Sequence, residues 1–162
     1  MTTLIAARFV AAMYHTCQAV IAKRTGDGTT AIGQIDRAMS ISDWAHAVRR
    51  EYGTIHARFN RNRHGAERAV QQALADDPYY INNLVNLAGI QIELGRYAEA
   101  EKHLKQALAI NESLHLAHFA MGLIAAAQGQ PDEARRAFER CLQLQPDFEP
   151  AKAELKRLPS PK

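Results

Sequence analysis

Very little in this chain of 162 residues is suited to covalent chemistry, to a sheet or to a membrane span. There are two cysteines, Cys17 and Cys141, which fall at opposite ends of the repeat array derived below, too far apart to bridge. Both are expected to act as small buried apolar residues. Aromatic residues are 7% of the total, and no run of aromatic and β-branched residues alternates with polar ones, so no sheet is expected. Glycine-rich phosphate loops are missing; Thr25-Gly-Asp-Gly28 is too short for one and reads as a hairpin turn. Ser42, Ser113 and Ser160 lack the context of a nucleophile elbow. His115 and His118 are spaced to reach one ion, but no carboxylate or cysteine joins them on the same helix face. No enzyme activity, metal or cofactor is expected. The most apolar stretch, Leu4 to Ala22, is interrupted by Arg8, His15 and Gln18, and Met1-Thr-Thr ahead of it supplies none of the positive charge of a signal sequence. It is expected to be the long first helix of a repeat, with an interfacial anchor or a processed signal as the alternative. The expected compartment is the cytoplasm, with a periplasmic or membrane-associated location as the alternative.

What the chain does have is a period. Ala66, Ala100 and Ala134 recur every 34 residues, and Ala73, Ala107 and Cys141 keep the same interval and stay small. Pro78 and Pro146 lie 68 apart, twice that period, each just past an alanine- and charge-rich stretch. Ala31 and Ala38 extend the series upstream with one extra residue, placed in the loop Asn60 to Arg63. Stacked helical hairpins have periods of this length, and about three are needed for stability. The expected architecture is all-α: an α-α superhelix, or solenoid, of about four helix-turn-helix repeats in one domain, 1–162. Its units are 12–45, 46–80, 81–114 and 115–148, followed by a capping helix over 149–158. Leu84, Leu87, Gln91 and Leu94 make one helical stripe, and Ala100, Leu104, Ala107 and Leu108 a second that faces it. Gly95 and Gly129 suit the left-handed residue that ends the first helix of a hairpin, and Pro131 suits the first turn of the next.

The third and fourth units resemble the tetratricopeptide repeat family. In the third, Leu84, Leu87, Ala88, Gly95, Tyr97, Glu99, Ala100, Leu104 and Ala107 match, and Leu94-Gly-Arg-Tyr-Ala-Glu-Ala100 is the most specific fragment. In the fourth, Met121, Gly122, Ala134, Phe138 and Pro146 match, while His118, Cys141 and, at the end of the third unit, Glu112 depart from the pattern. The second unit keeps Tyr52-Gly53, Ala66, Ala73 and Pro78 around a lengthened basic turn, and the first keeps Gly26-Asp27, Ala31, Ile35 and Ala38. The resemblance implies a non-catalytic protein-interaction scaffold that docks a peptide or partner helix in a concave groove lined by the first helix of each unit. It also implies, as an alternative, a component of a bacterial envelope or secretion assembly. The groove candidates are Arg50, Thr54 and Arg58 in the second unit, Asn82, Val85, Asn86, Gly89 and Glu93 in the third, and Leu116, Phe119, Leu123 and Ala127 in the fourth. Asn82 and Asn86 would pair with an extended backbone, and Leu116, Phe119 and Leu123 would form an apolar pocket unless Leu155 and Leu158 of the terminal helix cover it. Arg50 and Asn86 imitate two parts of the carboxylate clamp of chaperone-binding relatives, but Leu116 and Ala120 stand where that clamp is basic, which disfavours it.

Charge is uneven beneath the net +3: residues 1–68 carry ten Lys or Arg against five acids, whereas 69–162 carry ten against twelve. Arg49, Arg50, Arg58, Arg61, Arg63 and Arg68, with His56 and His64 among them, form a basic cluster. Arginine forks suit carboxylates and phosphates, so binding of a polyanion or nucleic acid through Arg49 to Arg68 is the competing expectation. Phe9, Val10 and Met13 on the exposed side of the first helix make a homo-oligomer a further expectation.

Overall fold

The computed structural model describes residues 2–41 and 46–159. Among the described residues all regular structure is helical: α1 (Thr2–Thr25), α2 (Gly28–Ile41), α3 (His46–Phe59), α4 (Arg63–Asp76), α5 (Ile81–Glu93), α6 (Tyr97–Ile110), α7 (His115–Ala127), α8 (Pro131–Leu144) and α9 (Glu149–Arg157). Ser42 and Ser160 lie outside the described residues. In chain order the helices form four helix-turn-helix units and a terminal helix, at the spacing the period implies. The chain divides into two compact bodies, Met1–Ile90 and Gln91–Lys162, with the division inside α5.

The turns follow from local chemistry. Gly26, Gly95 and Gly129 have φ of 81°, 75° and 74°, the left-handed region that a side chain would strain. Asp27 caps α2, accepting from the Thr30 backbone N–H at 3.0 Å. Hydrogen bonds from the Thr30 side chain and backbone hold its carboxyl below the usual range. The α3–α4 turn has no glycine; Asn62 caps α4 by accepting from Gly65 N at 3.2 Å, and Arg63 donates to the carbonyls of Ala57 and Asn60 at the end of α3. Pro131 opens α8, where its missing N–H costs nothing.

The small periodic positions are all buried in the fold. Ala31, Ala38, Ala66, Ala100, Ala107, Ala134 and Cys141 are all 0% exposed, and Ala73 is 1% exposed. Substituting Ala107 by leucine is therefore expected to overpack the helix contact and lower stability by roughly 1–3 kcal/mol. Urea denaturation would show a lower midpoint with an unchanged slope; an unchanged midpoint would mean that the backbone there has room to spare.

In the N-terminal body, Ala12, Ala19, Ala22, Ala31, Ile35, Ala38, Val48 and Ile55 form the core, with Tyr52 and Phe59 packed against it. In the C-terminal body Phe138, Ala125, Ala134, Cys141 and Ala151 do so, with Phe119, Leu123, Phe148, Leu155 and Leu158 around them. Gly53, Ala88 and Gly122 are each the eighth residue of their helices. A Cβ on Gly122 would stand 2.4 Å from the Phe138 ring, and one on Gly53 would stand 2.9 Å from the Ala73 Cβ. Gln91, the polar member of the expected stripe, is 1% exposed and satisfied: its Oε1 faces His103 Nδ1 at 2.9 Å.

One expectation for α1 needs correction. Cys17 is exposed, because the side of α1 that packs is the one carrying Ala12, Thr16, Ala19 and Ala22, and Cys17 points away from it. Cys141 is buried as expected, and burial pushes its thiol up, which keeps it protonated and unreactive. By length and composition Leu4–Thr25 would suffice to cross a membrane. Its polar residues fasten it to its neighbours: Arg8 donates to the Ile41 carbonyl at 2.8 and 3.2 Å, His15 pairs with Gln34 at 2.7 Å, and Lys23 pairs with Glu51 of α3.

Candidate functional site

Within the N-terminal body, α3 and the start of α5 bring a set of polar side chains together. The Arg50 guanidinium lies over the Tyr80 ring, 5.3 Å from its centroid. The Tyr80 hydroxyl in turn accepts from Asn82 Nδ2 at 3.3 Å. One helical turn after Arg50, Thr54 Oγ1 reaches the Arg50 carbonyl at 3.0 Å and Asn83 Oδ1 at 3.3 Å. Arg50 and Asn82 are exposed, Thr54, Val85, Asn86 and Gly89 are half-buried, and nothing stands within 4 Å of a Cβ built on Gly89. The contacts join an anchored guanidinium, a phenol and amide groups that both donate and accept, with Val85, Asn86 and Gly89 following Asn82 along α5.

Two members of this set were missed from the sequence. Tyr80 was not singled out; it is half-buried under Arg50, whereas its neighbour Tyr79 is 75% exposed. Asn83 is 0% exposed, and its Nδ2 makes no hydrogen bond. It was hidden beside the exposed Asn82, from which composition does not distinguish it.

Arg58 does not join this set. It stacks over Phe59 at 5.2 Å and, with Arg61 and Arg63, lines a cleft of about 700 Å³ that also takes in Gly26, Gly28, Thr29, Ile32, Phe59 and Asn60. The expected basic cluster is thus divided: Arg50 is on Tyr80, Arg49 is half-buried, and Arg68, exposed on α4, is not among the cleft residues. His56 is not a surface cation but a buried ring, 6% exposed, with Tyr52 stacked at 4.4 Å and Asp36 2.9 Å from its Nε2. Asn60 Nδ2 donates to its Nδ1 at 3.1 Å, which leaves Nε2 to donate to Asp36. Burial, with the Asp36 carboxylate adding to it, pushes the Tyr52 phenol up. His64 remains exposed.

In the C-terminal body the apolar candidates are largely consumed. Phe119 contacts Phe138 and Phe148, with ring centroids at 5.6 and 5.2 Å, and Leu123 packs on the same core as Leu155 and Leu158. Phe148 and α9 thus pack around Phe119 and Leu123, which are half-buried, while Leu116 stays open, 45% exposed. Glu93 and Ala127 are exposed. His115 stacks on Phe148 at 5.3 Å, and His118 Nε2 donates to the Glu112 carbonyl at 2.9 Å. Among the described residues no group of three or more His, Cys, Asp or Glu is placed to hold a metal ion.

Family models for the tetratricopeptide repeat match residues 115–148 and 61–113. Tetratricopeptide repeat protein 7B of Homo sapiens is 35% identical over 80 residues, 49% of this chain and 10% of that protein. The chain thus spans about a tenth of the length of the curated relative. Among solved structures, MamA superposes with a TM-score of 0.74 at 16% identity, covering 90% of this chain and 79% of that one. The Pseudomonas aeruginosa pilF structure does so with a TM-score of 0.77 at 20% identity, covering 93% and 68%. At these identities the likeness establishes the helical-repeat fold.

Proposed function

Since this chain belongs to the tetratricopeptide repeat family, whose repeats generally mediate protein–protein interaction, we propose that it is a non-catalytic scaffold whose α3–α5 face docks an extended, acidic peptide segment. The observation behind this reading is the Arg50–Tyr80–Asn82 arrangement beside Thr54 and Asn83, with Asn86 one helical turn after Asn82 on α5. A guanidinium held over an aromatic ring has lost part of its rotamer freedom before a ligand arrives, which favours a carboxylate at that point. Amide side chains at Asn82 and Asn86 suit the donors and acceptors of an extended backbone. The packing of Phe148, Leu155 and Leu158 around Phe119 and Leu123 leaves less of the α7 apolar surface open to a ligand, which supports this face over that one.

Peptides selected from a random display library on the immobilised protein provide the test. The paired substitution Arg50→Ala/Asn86→Ala is expected to weaken the best binder at least tenfold in calorimetry, the loss of one charge-assisted contact and one amide pair. Arg61→Glu/Arg63→Glu is expected to leave it unchanged. The opposite pattern, with affinity collapsing in the Arg61/Arg63 variant and falling steeply with salt, would transfer the function to the cleft of Arg58, Arg61 and Arg63 and to a polyanion.

A further inference from the structure

The basic cleft of the N-terminal body takes no part in the α3–α5 face, and its residues fit a ligand of their own. One wall is the α1–α2 turn with the start of α2; the other is the end of α3 with the α3–α4 turn. The walls meet where the Phe59 ring lies against Gly28, so closely that a Cβ there would stand 2.7 Å from it. Phe59 and Ile32, both half-buried, give the cleft an apolar side. Arg58 and Arg61, both exposed, give it two guanidiniums, and Thr29 adds a hydroxyl. Neither of these arginines has an ion pair among the described residues. Arg58 is steadied by the Phe59 ring, 5.2 Å away. Arg61 stands on a turn that Arg63 fixes by donating to the Ala57 and Asn60 carbonyls. Those bonds also cover oxygens at the end of α3 that would otherwise leave partial negative charge beside the cleft.

Charge and size identify the ligand class. Among the described residues no acid lines the cleft. Asp27, between two of its glycines, accepts from the Thr30 N–H as the cap of α2, and Asp36, one turn after Ile32, faces His56. Two guanidiniums without carboxylates match a phosphate monoester, which carries a charge of roughly −1.5 to −2 at neutral pH and presents several strong acceptor oxygens. A volume of about 700 Å³ lies within the range of sites for small organic molecules, roughly 300–1,000 Å³, and far exceeds what a bare inorganic anion needs. The apolar side comes into use only when the phosphate is attached to an organic group. A nucleic-acid strand would require a basic track running on from the cleft. Arg49, Arg50 and Arg68 are not among the cleft residues, and Arg50 is on Tyr80.

We propose that this cleft is a binding site for a small organic phosphate, with Arg58 and Arg61 donating to the phosphate oxygens, Thr29 donating beside them, and Phe59 and Ile32 bounding the organic part. The site stands apart from the peptide face, so loss of one leaves the other intact. Titration of phenyl phosphate into the isotope-labelled full chain at neutral pH tests it. Amides of Gly26, Gly28, Thr29 and Arg61 are expected to shift in one saturable transition, and inorganic phosphate to bind several-fold more weakly. Arg58→Gln/Arg61→Gln is expected to weaken phenyl phosphate binding by about tenfold or more, whereas Arg50→Ala/Asn86→Ala binds as the wild type does. Should the double variant lose helicity, Arg61→Gln alone, at an exposed position, is expected to weaken binding by roughly threefold or more. Absence of a saturable shift would overturn the proposal, as would affinity indifferent to the arginine substitutions or equal affinity for inorganic phosphate. So would a phosphotyrosine peptide that binds far more tightly than phenyl phosphate, which would place the phosphate on a partner protein. A single-stranded oligothymidylate that binds with steep salt dependence and shifts Arg49, Arg50 and Arg68, while phenyl phosphate does not bind, would assign the arginines to nucleic acid instead.

Discussion

Phe138→Ala is expected to lower the stability of the C-terminal body by about 3–5 kcal/mol, the largest effect of any single truncation considered for this chain. The ring is 0% exposed and sits where α7, α8 and α9 converge: Ala134, Cys141 and Ala151 share its cluster, and Phe119 stacks beside it at 5.6 Å. Its buried neighbours Ala125, Ala134, Cys141 and Ala151 have no side chain long enough to swing in and fill the void, so a cavity would persist on that side of the ring. Far-UV circular dichroism during urea titration measures the change. A loss below about 1 kcal/mol would show that α9 can collapse onto the vacated space and that Phe138 is not the keystone of this body.

Gly122→Ala is expected to destabilise the same body, although helix propensity alone argues the reverse. Alanine is favoured over glycine inside a helix by about 1 kcal/mol. Against this, the new Cβ would lie 2.4, 2.6 and 2.9 Å from three atoms of the Phe138 ring. Relief would need a shift of about an ångström by a ring that Phe119 and the α9 contacts hold in place, an overpacking cost of roughly 1–3 kcal/mol. The two substitutions should therefore be strongly non-additive. In a Phe138→Ala background the Gly122→Ala change loses its clash and is expected to become neutral or stabilising. A cycle in which the two effects simply add would separate Gly122 from Phe138 and contradict the packing described.

The fold was legible because it depends on the smallest residues at fixed spacing. Ala66, Ala100 and Ala134 mark where helices touch, and a contact that admits only alanine leaves its period in the sequence whatever the surrounding residues are. The turn glycines Gly95 and Gly129 were legible for a similar reason, since their positive φ excludes most alternatives. Site residues were less so. Phe119 and Leu123 stand at groove positions by helical phase, but Phe148 and α9 reach over them, and the path of a following segment is not encoded in a helix's own periodicity. His56 was grouped with surface cations because its neighbours Arg49, Arg50 and Arg58 are basic; its burial depends on Asp36 and Tyr52, one on a different helix. Cys17 was assigned to the core by residue type, whereas its phase on α1, opposite Ala12 and Ala19, already placed it outside.

The most direct test of the interaction role is chemical-shift mapping of a selected peptide on the isotope-labelled protein. If the α3–α5 face is the docking surface, amides of Arg50, Thr54, Asn82, Asn86 and Gly89 shift together in one saturable transition, and the shifts disappear in Arg50→Ala/Asn86→Ala. Shifts confined to Gly26, Gly28, Thr29 and Arg61, around the basic cleft, would contradict the account and place recognition at the hairpin turns instead.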